Sequence, residues 1–212
     1  LLQMLSEVNP HVVAVLSGGS AIEMPWINQC EAVIHGYLSG QAGAAAMLRT
    51  ITGEVNPSGK LNETYPLKYE EEPSAPYFPS KERNAEYREG LYVGYRYFET
   101  VGKQVRFPFG YGLSYTTFVY KDLQVTEKQA SFTLTNTGKM DGAEVAQLYV
   151  SAKCNGVYRP AKELKGFQKV FLKARESRKV VIPLDDKAFR YFNEKTGRFE
   201  GEGGNYEILI GA

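Results

Sequence analysis

The pattern of hydrophobic and polar residues divides the chain into two halves of different character. In the first half, three stretches with apolar residues at helical spacing alternate with two short apolar runs that lack polar alternation. Runs of that kind are typical of parallel strands covered on both faces. The resulting order of helices and strands is that of half a layered α/β domain. In chain order, the predicted elements are a helix over 1–8, a strand over 11–16, an amphipathic helix opened by Pro25-Trp26, a strand over 32–37 and a helix over 44–52.

The second half has the alternating pattern of half-buried strands. From Thr117 onward, apolar and polar residues alternate with period two, and glycine-containing turns separate the alternating stretches. About seven short strands with almost no helical pattern predict an all-β sandwich over residues 117–212. The candidate strands lie at 118–120, 123–125, 131–137, 144–150, 163–172, 178–184, 191–192 and 206–210.

A segment rich in proline and then in tyrosine joins the two halves. Residues 65–79 contain four prolines and the acidic run 70–72, which predicts an extended surface linker with a solvated charge run. Residues 86–115 contain nine aromatic residues together with glycines and arginines. Aromatic side chains with polar tips suit a buried surface that still needs hydrogen bonds. We therefore expect an aromatic strap between two domains, with Arg88 and Arg96 paired to carboxylates or backbone carbonyls.

The predicted organisation is therefore α/β followed by all-β. Residues 1–75 form the latter half of an α/β sandwich domain, residues 76–116 form the interdomain strap, and residues 117–212 form the β-sandwich. Residues 1–75 supply too few strands to bury both faces of a parallel sheet by themselves. We expect an apolar surface of this half-domain to be bare when the chain is alone.

Composition narrows the class of protein only slightly. The chain is 43% hydrophobic and 23% charged, which is ordinary for a globular protein. A net charge of +1 favours neither nucleic acid nor an anionic membrane surface as a partner. No run approaches the ~18 apolar residues of a membrane span. The first ten residues have neither an initiator methionine nor the features of a signal peptide, so we expect a fragment that begins inside a helix, with a slight preference for the cytoplasm.

Few residues could carry chemistry, and for each we favour a structural explanation. His11 lies beside a helix-ending proline and His35 lies inside an apolar run, so we expect hydrogen-bonded structural histidines rather than a metal site or a catalytic triad. The Ser17–Ser20 turn lies where an anion could bind, but it lacks the spacing of a phosphate loop. Asn62-Glu63-Thr64 matches a glycosylation sequon, a triplet that is frequent by chance.

The acidic residues and the cysteines do not indicate a catalytic or metal site either. Glu86 and Glu89 could form a carboxylate pair for glycosidic chemistry, but the neighbouring tyrosines and arginines favour buried ion pairs. Cys30 and Cys154 lie far apart and in different predicted domains, so we expect two free thiols rather than a disulfide. Their spacing fits no metal site, and the residues alone indicate no cofactor.

A series of motifs runs along nearly the whole chain, at 40–43, 53–61, 64–66, 89–98, 109–118, 136–138, 142–150 and 160–167. In this order they resemble the motifs of glycoside hydrolase family 3. The first three are similar to PGQEGG…GxxNPSGKLPxTFP, the next two to EGIYVGYRYY and FGYGLSYTxF, and the last three to the family's fibronectin type III-like domain. Three departures lie on loops: Ser39 and Ala42 replace a proline and a glutamate of the family pattern, and Asn62 replaces another proline.

The resemblance implies the C-terminal portion of a retaining β-glucosidase-type enzyme that acts on terminal, non-reducing β-linked sugars, glucosides above all. Such enzymes use an Asp nucleophile and a Glu acid/base. The nucleophile belongs to an N-terminal (β/α)8 barrel, in a Ser-Asp-Trp-like motif that is absent here. The acid/base belongs to an α/β loop upstream of residue 1. We therefore assign no catalytic, cofactor-binding or metal-binding residue to this chain, and we expect it to be inactive alone.

Its implied partners follow from the same resemblance. They are the barrel portion of the enzyme, on the same or a separate chain, and a β-linked glucoside or oligosaccharide bound by the whole enzyme. The resemblance leaves open whether identical chains form an oligomer. The alternative function is a non-catalytic β-sandwich module that binds carbohydrate or protein. A sugar-binding face on the sandwich would need exposed coplanar Trp or Tyr, and Trp26, the only tryptophan, lies outside the sandwich.

Overall fold

The computed structural model describes residues 1–153 and 156–211. Its first part contains two parallel strands, β1 (Val13–Leu16) and β2 (Ala32–His35), with Val13 opposite Ala32. Helix α1 (Leu2–Val8) precedes them and helix α2 (Gly43–Ile51) follows them. These four elements confirm the α/β pattern. The helix predicted after Pro25-Trp26 is wrong: only a 3-10 turn, Ile27–Gln29, forms there. Because β2 begins five residues after that turn starts, there is no room for a nucleated α-helix.

The strand pair is not covered on both faces within this chain. Alternate residues of β1 are open to solvent, with Val13 46% and Val15 47% exposed. Helix α1 buries none of its residues, and its apolar Leu1, Met4 and Val8 are exposed. The expectation that residues 1–75 leave an apolar surface bare is confirmed, since these side chains have nothing to pack against.

The proline-rich segment is more structured than predicted. Tyr65 is 1% exposed and forms a β-bridge with Phe107, so the segment does not begin as a surface linker. Two 3-10 turns follow, at 69–71 and 75–77. The acidic run is only partly solvated, because Oε2 of Glu71 accepts the backbone N–H groups of Leu67 and Lys68 at 3.2 Å each. This carboxylate caps the first turn, which explains an acidic residue at that position.

The second half is a β-sandwich, as predicted. One sheet has the order β3-β4-β7 and the other β10-β5-β6, and β8 pairs with β9 as a separate hairpin. A bulge between Lys121 and Gln124 divides β3, which explains why its sequence resembles two shorter strands. The sequence does not predict strand β9, because Gly197 precedes it and its last residue is Gly201, and both glycines suggest turns. The strands are β3 (Phe118–Val125), β4 (Gln129–Asn136), β5 (Gly142–Ala152), β6 (Glu163–Leu172), β7 (Ser177–Pro183), β8 (Arg190–Asn193), β9 (Arg198–Gly201) and β10 (Tyr206–Gly211).

The main hydrophobic core lies between the two sheets of the sandwich. Alternate residues of β4 and β5 point into it, among them Phe132, Leu134, Leu148 and Val150. The odd-numbered residues of β5 point to the opposite face, yet Gln147 and Tyr149 are also buried. Strand β5 is therefore covered on both faces, by the core on one side and by the strap on the other.

Candidate functional site

Two of the sequence motifs meet in space and form an interdomain joint. The segment 61–65 runs antiparallel to the segment 107–111 of the strap. The N–H of Leu61 donates to the carbonyl of Tyr111 at 2.8 Å, and the N–H of Gly110 donates to the carbonyl of Leu61 at 2.8 Å. The sequence alone does not predict this pairing, because two segments of only five residues, with no hairpin turn between them, carry no register signal of their own.

Asn56 connects three parts of the molecule through one amide. Its Oδ1 accepts hydrogen bonds from the hydroxyl of Ser114 at 2.9 Å and from the N–H of Tyr115 at 2.8 Å. Its Nδ2 donates to the carbonyl of Asp141 at 3.0 Å, just before β5. An amide side chain can serve here because it carries both acceptor and donor atoms. The residue therefore ties the end of the α/β part to the strap and to the sandwich.

A buried ion pair lies beside this amide. Nζ of Lys60 is 3.2 Å from Oε1 of Glu144, and the two side chains are 12% and 6% exposed. The same Nζ donates to the carbonyl of Gly112 at 2.8 Å. The hydroxyl of Tyr120 donates to Oε1 of Glu144 at 3.2 Å. Burial, together with the nearby Glu144 carboxylate, raises the pKa of Tyr120 far above its ordinary value, so this phenol stays protonated and donates.

The strap packs on the outer face of β5 through aromatic rings. Tyr95 begins the helix α3 (Tyr95–Val101), and its ring stacks on Phe109 at a centroid distance of 4.7 Å. The Tyr95 hydroxyl accepts the N–H of Leu164 at 2.8 Å, and its ring meets Tyr149 edge-on at 6.0 Å. This part of the strap is the interdomain brace that its composition indicates. Offset and edge-on aromatic pairs add to the stability that burial supplies.

The first part of the strap does not follow the prediction. Tyr87 is 83% exposed, and Arg88 pairs with Glu86 at the surface rather than in a buried ion pair. Arg96 has no carboxylate partner among the described residues; its guanidinium lies 5.5 Å from the centroid of the Tyr95 ring. The predicted burial of Glu86 is therefore wrong. The prediction that Arg96 pairs with a carboxylate or a backbone carbonyl is wrong as well, since neither partner is present among the described residues. The composition of the strap is uniform, but its residues differ in their contacts. Tyr87 and Arg88 stay at the surface, whereas the Tyr92 ring lies 5.6 Å from the Tyr158 ring and Tyr95 packs on Tyr149 of β5.

The histidines differ in their partners. Nδ1 of His11 lies 2.8 Å from Oε2 of Glu31, as expected of a structural histidine, at an exposed position. The ring of His35 packs at 3.9 Å on Tyr37 and edge-on at 5.9 Å on Tyr65. Neither ring nitrogen of His35 has a hydrogen-bond partner, so the prediction of a hydrogen-bonded side chain is wrong there. Strand β2 ends at His35, which places the ring among aromatic faces instead of polar groups.

The hydroxyl groups around His35 are not activated for catalysis. Burial raises the pKa of Tyr37 and of Tyr65 above the ordinary value for tyrosine, and the Glu63 carboxylate raises both further. Phenols with raised pKa values remain protonated and are poor bases. At the carboxyl end of β2, these two phenols are therefore protonated and do not act as bases.

The described residues offer no metal centre. Among residues 1–153 and 156–211, no group of three His, Cys, Asp or Glu side chains could hold a metal ion. Cys30 is a free thiol, and Cys154 lies outside the described residues. The Ser17–Ser20 segment lies between β1 and the 3-10 turn, and the Ser17 hydroxyl donates to the carbonyl of Tyr37 at 3.2 Å. In this part of the chain, no helix is long and apolar enough to cross a membrane.

The described structure is a small α/β layer, an aromatic strap and a β-sandwich, which are joined through Asn56 and Lys60. Residues 1–115 match the profile of the glycosyl hydrolase family 3 C-terminal domain, and residues 144–212 match the fibronectin type III-like domain. The chain belongs to glycosyl hydrolase family 3. The family resemblance predicted from the sequence is thereby confirmed.

Relatives that are named for different activities match the whole chain. It is 46% identical to a thermostable beta-glucosidase B of Acetivibrio thermocellus and 44% identical to an exo-alpha-(1->6)-L-arabinopyranosidase of Bifidobacterium breve, and it covers 29% of each. A crystal structure of a Bifidobacterium adolescentis GH3 beta-glucosidase superposes with a TM-score of 0.95 and 40% identity, over 99% of this chain and 32% of that chain. The chain thus spans under a third of the length of these relatives.

Proposed function

We propose that this chain is the scaffolding part of a retaining β-glucosidase-type glycoside hydrolase, which removes terminal non-reducing β-D-glycosyl residues. The observation that carries the proposal is the interdomain joint. Asn56 and the Lys60–Glu144 pair fix the α/β part to the strap and sandwich, while the parallel strands keep an apolar face bare. A rigid support with one open apolar side suits a body that docks on a further body.

In this proposal, the two catalytic carboxylates lie in the barrel portion and in the upstream α/β loop of the complete enzyme. Retaining hydrolysis requires a nucleophile and an acid/base about 5–5.5 Å apart, so a small shift of the acid/base domain slows the reaction. The role of this chain is to hold that domain in place. We assign it no catalytic residue, and divide it into 1–75, the strap 76–116 and the sandwich 117–212.

The sugar specificity of the complete enzyme belongs to its other parts. A beta-glucosidase and an arabinopyranosidase are almost equally similar to this chain, at 46% and 44% identity. A scaffold can stay constant while the pocket that it supports changes. β-Glucosides are therefore the first substrates to test, and α-L-arabinopyranosides the second.

The isolated 212 residues should have no glycosidase activity, because losing either carboxylate costs orders of magnitude in rate. The assay measures release of an aryl group from an aryl β-glucoside, with and without the separately purified barrel-bearing portion. We expect background turnover for the chain alone and recovery on mixing or co-expression. Turnover within about tenfold of an intact family member, with no other chain present, would contradict the proposal.

The scaffolding role has its own kinetic signature. In the reassembled enzyme, Asn56→Ala should lower kcat more than it raises KM, because it loosens the acid/base domain and leaves the barrel pocket intact. Asn84→Ala is the matched control, since Asn84 is exposed, lies outside the joint, and its side chain forms no hydrogen bond among the described residues. If both variants lowered kcat equally, the hydrogen bonds of Asn56 would not be what positions the acid/base domain.

A further inference from the structure

An open cleft lies between the strap, the two 3-10 turns at 69–77 and the loop that precedes β6. Its volume is about 470 Å³, within the ~300–1,000 Å³ that is usual for small-molecule sites. Aromatic and acidic side chains predominate in its lining. Those used below are Glu70, Glu72, Tyr77, Glu89, Tyr92 and Tyr158.

Tyrosine rings provide flat surfaces in this cleft. The rings of Tyr92 and Tyr158 lie 5.6 Å apart with an interplanar angle of 34°. Tyr158 is 77% exposed, so one face of this pair is open to solvent. Tyr77 also lines the cleft, and the Arg88 guanidinium lies 4.8 Å from its ring centroid. Exposed rings that are grouped in a concave site form a large apolar surface whose hydration is unfavourable, so a ligand that covers it gains binding free energy.

The polar groups of the cleft are mostly unpaired acceptors. The carboxylates of Glu70, Glu72 and Glu89 form no hydrogen bond or ion pair within residues 1–153 and 156–211. Burial, and then the neighbouring Glu63 carboxylate, raise the pKa of Glu72. Two cationic side chains, Arg88 and Lys103, also line the cleft, but Arg88 is paired with Glu86. The local charge is therefore negative, which disfavours an anionic ligand.

We propose that this cleft binds a neutral oligosaccharide. The C–H faces of a pyranose ring are apolar and flat, so they can stack on the Tyr92–Tyr158 pair. Its hydroxyl groups are donors that the free carboxylates of Glu70 and Glu89 can accept. β-Linked glucosides are the first choice of ligand, a choice that rests on the proposed function. The rings needed for such a site lie between the strap and the sandwich, not on a sandwich face.

The test is a titration of the 212-residue chain with cellotriose, followed by heteronuclear NMR or calorimetry. For an open cleft we expect a dissociation constant on the order of 1 mM. Tyr158→Ala should weaken binding by about tenfold or more, because an exposed ring contributes to binding without supporting the fold. Tyr87→Ala is the matched control: Tyr87 is an exposed strap tyrosine that does not line the cleft. Melting temperatures of both variants should equal that of the original chain.

A panel of sugars separates this inference from the proposed function. Binding of cellotriose that depends on Tyr158 supports both the cleft as a sugar site and the proposed glucoside function. Tyr158-dependent binding of another neutral sugar, such as maltotriose, without cellotriose binding would support the cleft and count against the glucoside assignment. No binding of any neutral sugar at about 20 mM, or equal losses in the Tyr158 and Tyr87 variants, would overturn the cleft and leave the scaffolding proposal intact. Binding limited to cationic chitosan fragments would also overturn the proposal that the cleft binds a neutral oligosaccharide.

Discussion

Nε2 of Gln147 donates a hydrogen bond to the carbonyl of Gly110 at 3.1 Å, and no side chain fits at position 110 between the strap and β5. A Cβ on Gly110 would collide with the amide group of Gln147, and the backbone there has φ +81°. The strap can therefore approach the sandwich this closely only through a glycine. The Tyr149 hydroxyl fixes the same amide by donating to its Oε1.

Gly110→Ala should destabilise the chain by ~2–4 kcal/mol, since it combines left-handed backbone strain with overpacking against Gln147. The free energy of unfolding in urea measures the effect. Gly90→Ala is the control, because Gly90 also has positive φ (+56°) but has open space around its α-carbon. It should cost only the backbone strain, about 1 kcal/mol. Equal losses in the two variants would mean that the close approach does not matter.

The Lys60–Glu144 pair predicts a non-additive double-mutant cycle. Lys60→Met leaves Glu144 buried without a cation, which should cost ~3–5 kcal/mol. The double variant Lys60→Met/Glu144→Gln removes both charges and should recover part of that loss. Urea denaturation of the four proteins gives the coupling energy. A surface pair with good geometry, Arg49–Glu54, is the control, and Arg49→Met should change stability by less than about 1 kcal/mol. Additive effects at Lys60 and Glu144 would contradict a buried, coupled pair.

The sequence predicted the β-sandwich and the parallel strands because their periodicities are local. It did not predict the joint. The contacts of Asn56, Lys60 and Gly110 link residues that lie 37 to 85 positions from their partners, and nothing in the pattern encodes such pairings. The composition identifies the strap, but it does not show that Tyr87 stays exposed while Phe98 is buried. His35 was predicted to be hydrogen-bonded because aromatic neighbours distant in sequence were unknown.

The bare face of the parallel strands predicts self-association or dye binding by the isolated chain. Val13 and Val15 expose nearly half of their surface on adjacent outward positions of β1. Val13→Thr/Val15→Thr should reduce the fluorescence of a bound hydrophobic dye, with little change in melting temperature, because no packing is lost. Val180→Thr is the control for the melting temperature. Val180 is 2% exposed in the sandwich core, so the same substitution should destabilise that core and lower the melting temperature. A monomer without dye binding would contradict an uncovered docking face.

Adjacent residues of α3 should respond differently to truncation. Tyr95→Ala removes a ring that stacks on Phe109 and a hydroxyl that accepts the N–H of Leu164, so it should cost ~3–5 kcal/mol. Arg96→Ala removes only a guanidinium that lies over the Tyr95 ring, so it should cost ~1 kcal/mol or less. Tyr95→Phe isolates the hydroxyl and should fall between the two, at ~1–2 kcal/mol. Melting temperatures and urea midpoints rank the three variants. If Tyr95→Ala were as stable as Arg96→Ala, the strap would not brace the sandwich through α3.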